Sequence, residues 1–113
     1  MATVHAHRSL ILAGLLLSCI AATRAAEPPA PFAHGNPQLG KPMVERDCVA
    51  CHAQRMAGDA EKMYLRGDHR VRTPQQLLAQ VSYCNTQLGT NYFPDDEEHV
   101  AAYLNAQYYH FPP

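Results

Sequence analysis

Apolar residues recur at helical spacing in the second half of this 113-residue chain, and no useful length alternates with the period of a β-strand. Residues 41–47 (KPMVERD) also have a helical pattern. A second predicted helix has a buried face made of Leu77, Leu78, Val81, Cys84, Asn85 and Leu88. A third has an apolar stripe made of Val100, Tyr103, Leu104, Gln107 and Tyr108. The pattern predicts an all-α fold with three main helices.

Capping residues set the predicted ends of these helices. Thr73 to Gln76 (TPQQ) forms a capping box with proline in the first turn, and Gly89 is a typical helix stop. The last helix begins at Pro94, where the acidic run 95–98 favours the positive end of the helix dipole. Between the first two helices, the polar segment 53–72 has a loop-like composition.

Residues 1–25 have the pattern of a cleaved secretory signal peptide. A weakly basic start precedes the apolar run Leu10 to Ala22, and Thr23 and Ala25 place the cut after Ala25. The run is shorter than the roughly 20 residues that span a bilayer, so we expect export to the periplasm without a membrane span. Cys19 closes LLSC, which resembles a lipoprotein box. However, the leucine at its second position and the lack of a polar sorting signal disfavour a lipid anchor.

The exported part is small. Residues 26–37 are rich in proline and lack periodicity, which predicts an extended tether ahead of a compact unit at 38–113. A domain of this size usually needs disulfides, a metal or a large bound group to supplement its core.

The cysteines indicate which supplement is present. Only Cys48, Cys51 and Cys84 follow the leader, and an odd number cannot all pair in disulfides. The run CVACH, from Cys48 to His52, is a C-x-x-C-H sequence, the signature of covalent haem attachment. Two thiols at this spacing add to the two vinyl groups of a haem, and the next histidine can bind the iron. We therefore expect one haem c, with Cys48 and Cys51 as anchors and His52 as proximal ligand. A redox dithiol or a partial metal site are the alternatives.

The flanking residues resemble class I c-type cytochromes over nearly the whole mature domain. GKPMVERDCVACH, Gly40 to His52, is similar to the N-terminal helix of that family, whose glycine allows close crossing with the C-terminal helix. The resemblance implies a small cytochrome c fold, three main helices around one haem, with Tyr103 and Leu104 packed beside Gly40. It also implies a methionine ligand between the last two helices. The corresponding residues, CNTQLGTNYFP, contain no methionine.

Several residues are therefore candidates for the distal iron ligand. YCNTQLG resembles a C-N-x-x-[IL]-G element of small bacterial monohaem cytochromes in which asparagine binds iron weakly, which makes Asn85 a candidate. The position of Asn85 can also be explained by a structural role, in which it caps the C-terminal end of the second predicted helix. The other possibilities are an open site or one of Met63, Met56, His69 and Cys84.

A strong distal ligand predicts a one-electron carrier between redox proteins, and a weak or absent one predicts a binder or sensor of oxygen or nitric oxide. Peroxidase-like activity is a weaker alternative, because the sequence shows no distal acid–base pair beyond an isolated His69 or His99.

We expect a monomer with redox proteins as partners. The mature part has seven Lys and Arg against ten Asp and Glu, which disfavours nucleic acid. A basic segment lies within 62–72 and an acidic one at 95–98, and either an ordinary solvated surface or a docking role explains them.

Overall fold

The computed structural model describes residues 25–112, and this part of the chain is helical without strands. The predicted leader, apart from its last residue, and the alternative lipid site at Cys19 lie outside the described residues. The helices are α1 (Pro37–Asp47), α2 (Val49–Arg55), α3 (Lys62–Leu65), α4 (Pro74–Leu88) and α5 (Pro94–Leu104), and a π-helical turn (Asn105–Tyr109) extends α5. The all-α prediction is confirmed. None of these helices is long and apolar enough to cross a membrane.

The predicted ends of α4 and the start of α5 are confirmed. Thr73 Oγ1 accepts a hydrogen bond from the Gln76 N–H at 3.2 Å, and Gly89 closes α4 in the left-handed conformation with φ 64°. Gln76 Oε1 accepts from the Arg72 N–H at 2.7 Å, so the reciprocal bond of the capping box falls one residue early. At α5, the carboxylate of Asp96 accepts from the Phe93 N–H at 3.0 Å. These caps satisfy backbone donors that a helix end leaves unpaired.

Three helical parts differ from the sequence prediction, and one of them is α3 (Lys62–Leu65), which lies within the segment 53–72 that was predicted as a loop. The predicted continuous helix from Gly40 to His52 is divided at Cys48, which separates α1 from α2. The last helix leaves α-helical geometry after Leu104, so Tyr108 and Tyr109 lie on a wider turn. The side chain of Asn105 stabilises this ending, because it accepts from the Phe111 N–H at 2.8 Å and donates to the Phe111 carbonyl at 3.1 Å.

Helices α1 and α5 pack closely at Gly40. A Cβ atom built on Gly40 would lie closer than 3.0 Å to backbone atoms of His99 and Val100, so only glycine fits this crossing. The predicted role of Gly40 is confirmed. Its nearest neighbours are one turn earlier in α5 than the predicted Tyr103 and Leu104. Ala101 and Ala102, to which the sequence pattern assigned no role, are also buried in α5.

The proline-rich segment ahead of α1 packs in the folded domain, which corrects the prediction of an extended tether over 26–37. Ala30 and Phe32 are buried in the core, with 6% and 4% exposure. A Cβ on Gly35 would lie closer than 3.0 Å to the Glu98 backbone and the Ala102 side chain. The segment therefore packs on α5 before α1 begins. Its composition hid this, because two isolated apolar residues produce no periodicity.

Candidate functional site

A cavity of about 510 Å³ lies beside α2, α3, α4 and the end of α5. Its volume falls within the range of roughly 300–1,000 Å³ that is usual for cofactor and small-molecule sites. Leu88 lines it although 46% of this residue is exposed, so the cavity reaches the surface along α4. The aliphatic residues of its wall are Val71, Leu77, Val81, Leu88, Val100 and Leu104.

The three chemical groups of the CVACH sequence face this same cavity. Cys48 precedes α2, and Cys51 and His52 follow at three and four residues, which is the spacing of one helical face. Both cysteines are half-buried free thiols. The structure therefore brings together the two predicted anchors and the predicted proximal ligand.

Burial sets the protonation of these groups. It raises the pKa of the Cys48 thiol to about 11, and the nearby Cys84 thiol adds to this effect. Cys48 therefore remains a protonated thiol at neutral pH. Burial also lowers the pKa of His52, with a further contribution from the positive charge of Arg55. A neutral imidazole has a free nitrogen lone pair and is the form that binds metals.

An aromatic cluster backs the cavity beside His52. The ring of Tyr64, on α3, lies 4.9 Å from the His52 ring and stacks on Tyr108 at 4.6 Å, measured between ring centroids. Tyr109 lies 6.4 Å from Tyr64 and 5.4 Å from His69. Three buried side-chain atoms within residues 25–112 have no hydrogen-bond partner, and all three belong to residues that line the cavity: His52 Nδ1, Tyr64 Oη and His69 Nδ1.

Asn85 lines the cavity but is fully hydrogen-bonded within the protein. Its Nδ2 donates to the Tyr92 carbonyl at 3.0 Å and to Glu97 Oε1 at 2.7 Å. Its Oδ1 accepts from Thr90 Oγ1 at 2.6 Å and from the Tyr92 N–H at 3.0 Å. The side chain thus joins α4 to α5 and to the loop between them. Iron could bind the amide oxygen only in exchange for hydrogen bonds that it already accepts.

The other distal candidates divide into two groups. Met63, His69 and Cys84 line the cavity, whereas Met56 lies at the end of α2 outside its wall. Cys84 Sγ accepts a hydrogen bond from Gln80 Nε2 at 3.3 Å, which is a weak interaction for sulfur.

The charged residues of the wall are all basic. Arg55, Arg66 and Arg70 line the cavity, and no aspartate or glutamate among residues 25–112 does. Arg66 pairs with Asp68 at 2.9 Å, while Arg55 and Arg70 have no carboxylate partner within residues 25–112. Arg55 and Tyr109 also line the cavity, although the sequence pattern predicted no role for either residue. The spacing could have revealed Arg55, which follows His52 by three residues on the same short helix.

Within the described residues, no three side chains of His, Cys, Asp or Glu are grouped as metal ligands. Comparisons with protein-family models, curated proteins and solved structures give no match for this chain.

Proposed function

We propose that this protein is a periplasmic monohaem c-type cytochrome of the class I fold that carries single electrons between redox proteins. One haem c occupies the cavity, with thioether bonds to Cys48 and Cys51 and with His52 as proximal ligand. The observation that carries this proposal is that all three side chains line one largely apolar cavity. When bound, the haem supplies a one-electron iron couple.

The residues around the cavity fit such a group. The aliphatic side chains can pack against the flat face of the haem. Arg55 and Arg70 can pair with the two carboxylates of the haem, because guanidinium groups pair well with carboxylates. His52 is held neutral by its surroundings. A haem attached by two thioethers and one histidine also needs no cluster of several protein ligands.

The state of Cys48 favours this function over a redox dithiol. Dithiol enzymes depend on a cysteine whose pKa is lowered, so that a thiolate is present at neutral pH. Burial moves the pKa of Cys48 in the opposite direction, to about 11. Electron transfer through a haem does not require a thiolate.

One observation favours the second candidate function, a binder or sensor of a small diatomic ligand. The amide of Asn85 makes four hydrogen bonds inside the protein, so as a distal ligand it would be weak and easily displaced. An accessible distal face gives a diatomic molecule room to enter. The absence of acidic residues from the cavity wall supports neither function over the other, but it leaves a peroxidase-like enzyme without a carboxylate for acid–base chemistry.

Covalent attachment can be tested by expressing the full chain with a c-type maturation system. Cys48→Ser and Cys51→Ser should each remove one thioether bond, and His52→Ala should abolish the wild-type visible spectrum. Cys84→Ser is the matched control, because Cys84 is a free, half-buried thiol of the same cavity. Mass spectrometry and a denaturing haem stain measure attachment. Wild-type protein without covalent haem, or a His52→Ala variant with an unchanged spectrum, would contradict the proposal.

The visible spectra of the oxidised and reduced protein separate the two functions. A low-spin spectrum in both states that does not change with carbon monoxide supports the carrier. A high-spin reduced protein that binds carbon monoxide rapidly supports the binder.

A further inference from the structure

We infer that Tyr64 is the hydrogen-bond partner of His52, with its phenol oxygen accepting from the Nδ1–H of the haem-bound imidazole. This inference rests on the proposed function. It names a positioning residue for the iron ligand that the C-x-x-C-H sequence does not contain.

The two side chains touch and carry matching unpaired atoms. Their ring centroids are 4.9 Å apart, with the planes inclined by 58°. His52 Nδ1 and Tyr64 Oη are both buried without a hydrogen-bond partner. Buried polar atoms are paired in the large majority of cases, so two unpaired atoms on neighbouring rings point to a bond that forms once a haem is bound at His52.

Tyr64 offers a hydroxyl acceptor beside His52, where the cavity wall has no carboxylate among the described residues. A metal-bound histidine nearly always donates its second ring nitrogen to a carboxylate, a carbonyl or water. No carboxylate lines this cavity. Tyr64 is only 7% exposed, so its phenol oxygen is held away from solvent beside the His52 ring.

Tyr108 provides the matched control. It has the same side chain and stacks on Tyr64 at 4.6 Å, but its hydroxyl donates to Glu61 Oε1 at 3.4 Å near the surface. Phenylalanine at either position keeps the ring and removes one hydroxyl. A difference between Tyr64→Phe and Tyr108→Phe therefore reports the hydroxyl near His52 and not general packing of the cluster.

The hydrogen bond makes the imidazole a stronger donor and so favours oxidised iron. In haem-loaded full-chain protein, Tyr64→Phe should lower the ratio of oxidised to reduced iron at a fixed potential by roughly tenfold, an effect as large as the smaller losses of metal affinity that follow when such partners are mutated. For a one-electron couple this is a rise in reduction potential of about 59 mV. Tyr108→Phe should leave the potential unchanged.

A measurement on the unmodified protein removes any dependence on how the variants fold. Nuclear magnetic resonance of the reduced, diamagnetic protein, as its carbon monoxide adduct if needed, should show a His52 Nδ1 proton that exchanges slowly with water. Rapid exchange of this proton would overturn the role of Tyr64 and leave the proposed function standing. Equal reduction potentials in the unmodified protein, Tyr64→Phe and Tyr108→Phe would do the same. Failure of the unmodified chain to attach haem would instead overturn the proposed function, and this inference with it.

Discussion

The hydroxyl of Tyr92 donates a hydrogen bond to the carboxylate of Asp47. This bond ties the loop after α4 to the residue just before Cys48, and Arg46 holds the same carboxylate at 2.5 Å. The first thiol of the site is thus fixed by contacts between segments that lie far apart in the chain.

These contacts make the stability of the fold depend on pH. The Arg46 guanidinium, together with the Tyr92 hydroxyl, holds the pKa of Asp47 below its usual value. A lowered pKa in the folded state stabilises the protein above the unfolded pKa of about 3.9, and this contribution disappears as the pH falls through the lower folded value. At pH 7, Asp47→Asn should reduce the free energy of unfolding by on the order of 1 kcal/mol.

Urea unfolding of haem-loaded protein between pH 7 and pH 2 measures this effect. The difference between Asp47→Asn and the unmodified protein should shrink below about pH 4. Glu45→Gln is the control, since Glu45 pairs with Lys41 at 3.8 Å on the exposed surface and should matter little. A difference that persists unchanged at pH 2 would refute the link to Asp47.

The crossing of α1 and α5 should not tolerate a side chain at Gly40. Gly40→Ala places a methyl group against backbone atoms of His99 and Val100, which cannot move aside as a flexible side chain could. We expect a loss of about 1–3 kcal/mol in the free energy of unfolding, the usual cost of overpacking. Gly67→Ala is the control, because a Cβ there meets nothing within 4 Å. Equal urea midpoints for the two variants would argue against the close crossing.

Phe32 tests whether the proline-rich segment belongs to the domain. Phe32 is 4% exposed, whereas Phe93 is 76% exposed. Replacing Phe32 with alanine should cost about 3–5 kcal/mol, as for other buried phenylalanines. The same change at Phe93 should have an effect within about 0.5 kcal/mol. If both variants unfold at the same urea concentration, the segment contributes nothing to the fold.

Local sequence signals predicted the parts of the structure that local chemistry determines. The cap at Thr73, the stop at Gly89 and the start at Pro94 depend on residues within a few positions, and all three are confirmed. The spacing within CVACH likewise places its thiols and histidine on one side of α2. Such features need no information about tertiary packing.

Long-range packing accounts for what the sequence did not predict. The burial of Phe32 depends on α5, more than 60 positions along the chain, as the hydrogen bond from the Asn36 N–H to His99 Nδ1 illustrates at a separation of 63 residues. The end of α5 at Leu104 was missed because the apolar stripe continues through Tyr108. Asn85 lines the cavity, but its partners Tyr92 and Glu97 could not be predicted from the pattern of a single helix.

Arg70 should influence the haem through its charge. It lines the cavity without a carboxylate partner in the described part of the chain, whereas Arg72 lies outside the wall. Arg70→Gln removes a positive charge that disfavours oxidised iron, so the reduction potential should fall. The change should correspond to roughly 0.2–1 kcal/mol, as for other exposed charge pairs. Arg72→Gln should change it less. Titrations at low and high salt check this, because screening should reduce the difference, and a rise in potential for Arg70→Gln would contradict the assignment.

Asn85 can act as a structural link or as an iron ligand, and one variant distinguishes the two roles. Asn85→Ala leaves Glu97 Oε1 and the N–H and carbonyl of Tyr92 without the partners that Asn85 supplies, so we expect a loss of about 2–3 kcal/mol in the free energy of unfolding. Thr86→Ala is the control, because its exposed hydroxyl bonds only to the Ser82 carbonyl one turn away. The four hydrogen bonds of Asn85 lead us to expect that the visible spectrum of the oxidised haem protein stays the same in both variants. A shift to a high-spin spectrum in Asn85→Ala alone would show instead that the amide exchanges its internal hydrogen bonds for iron.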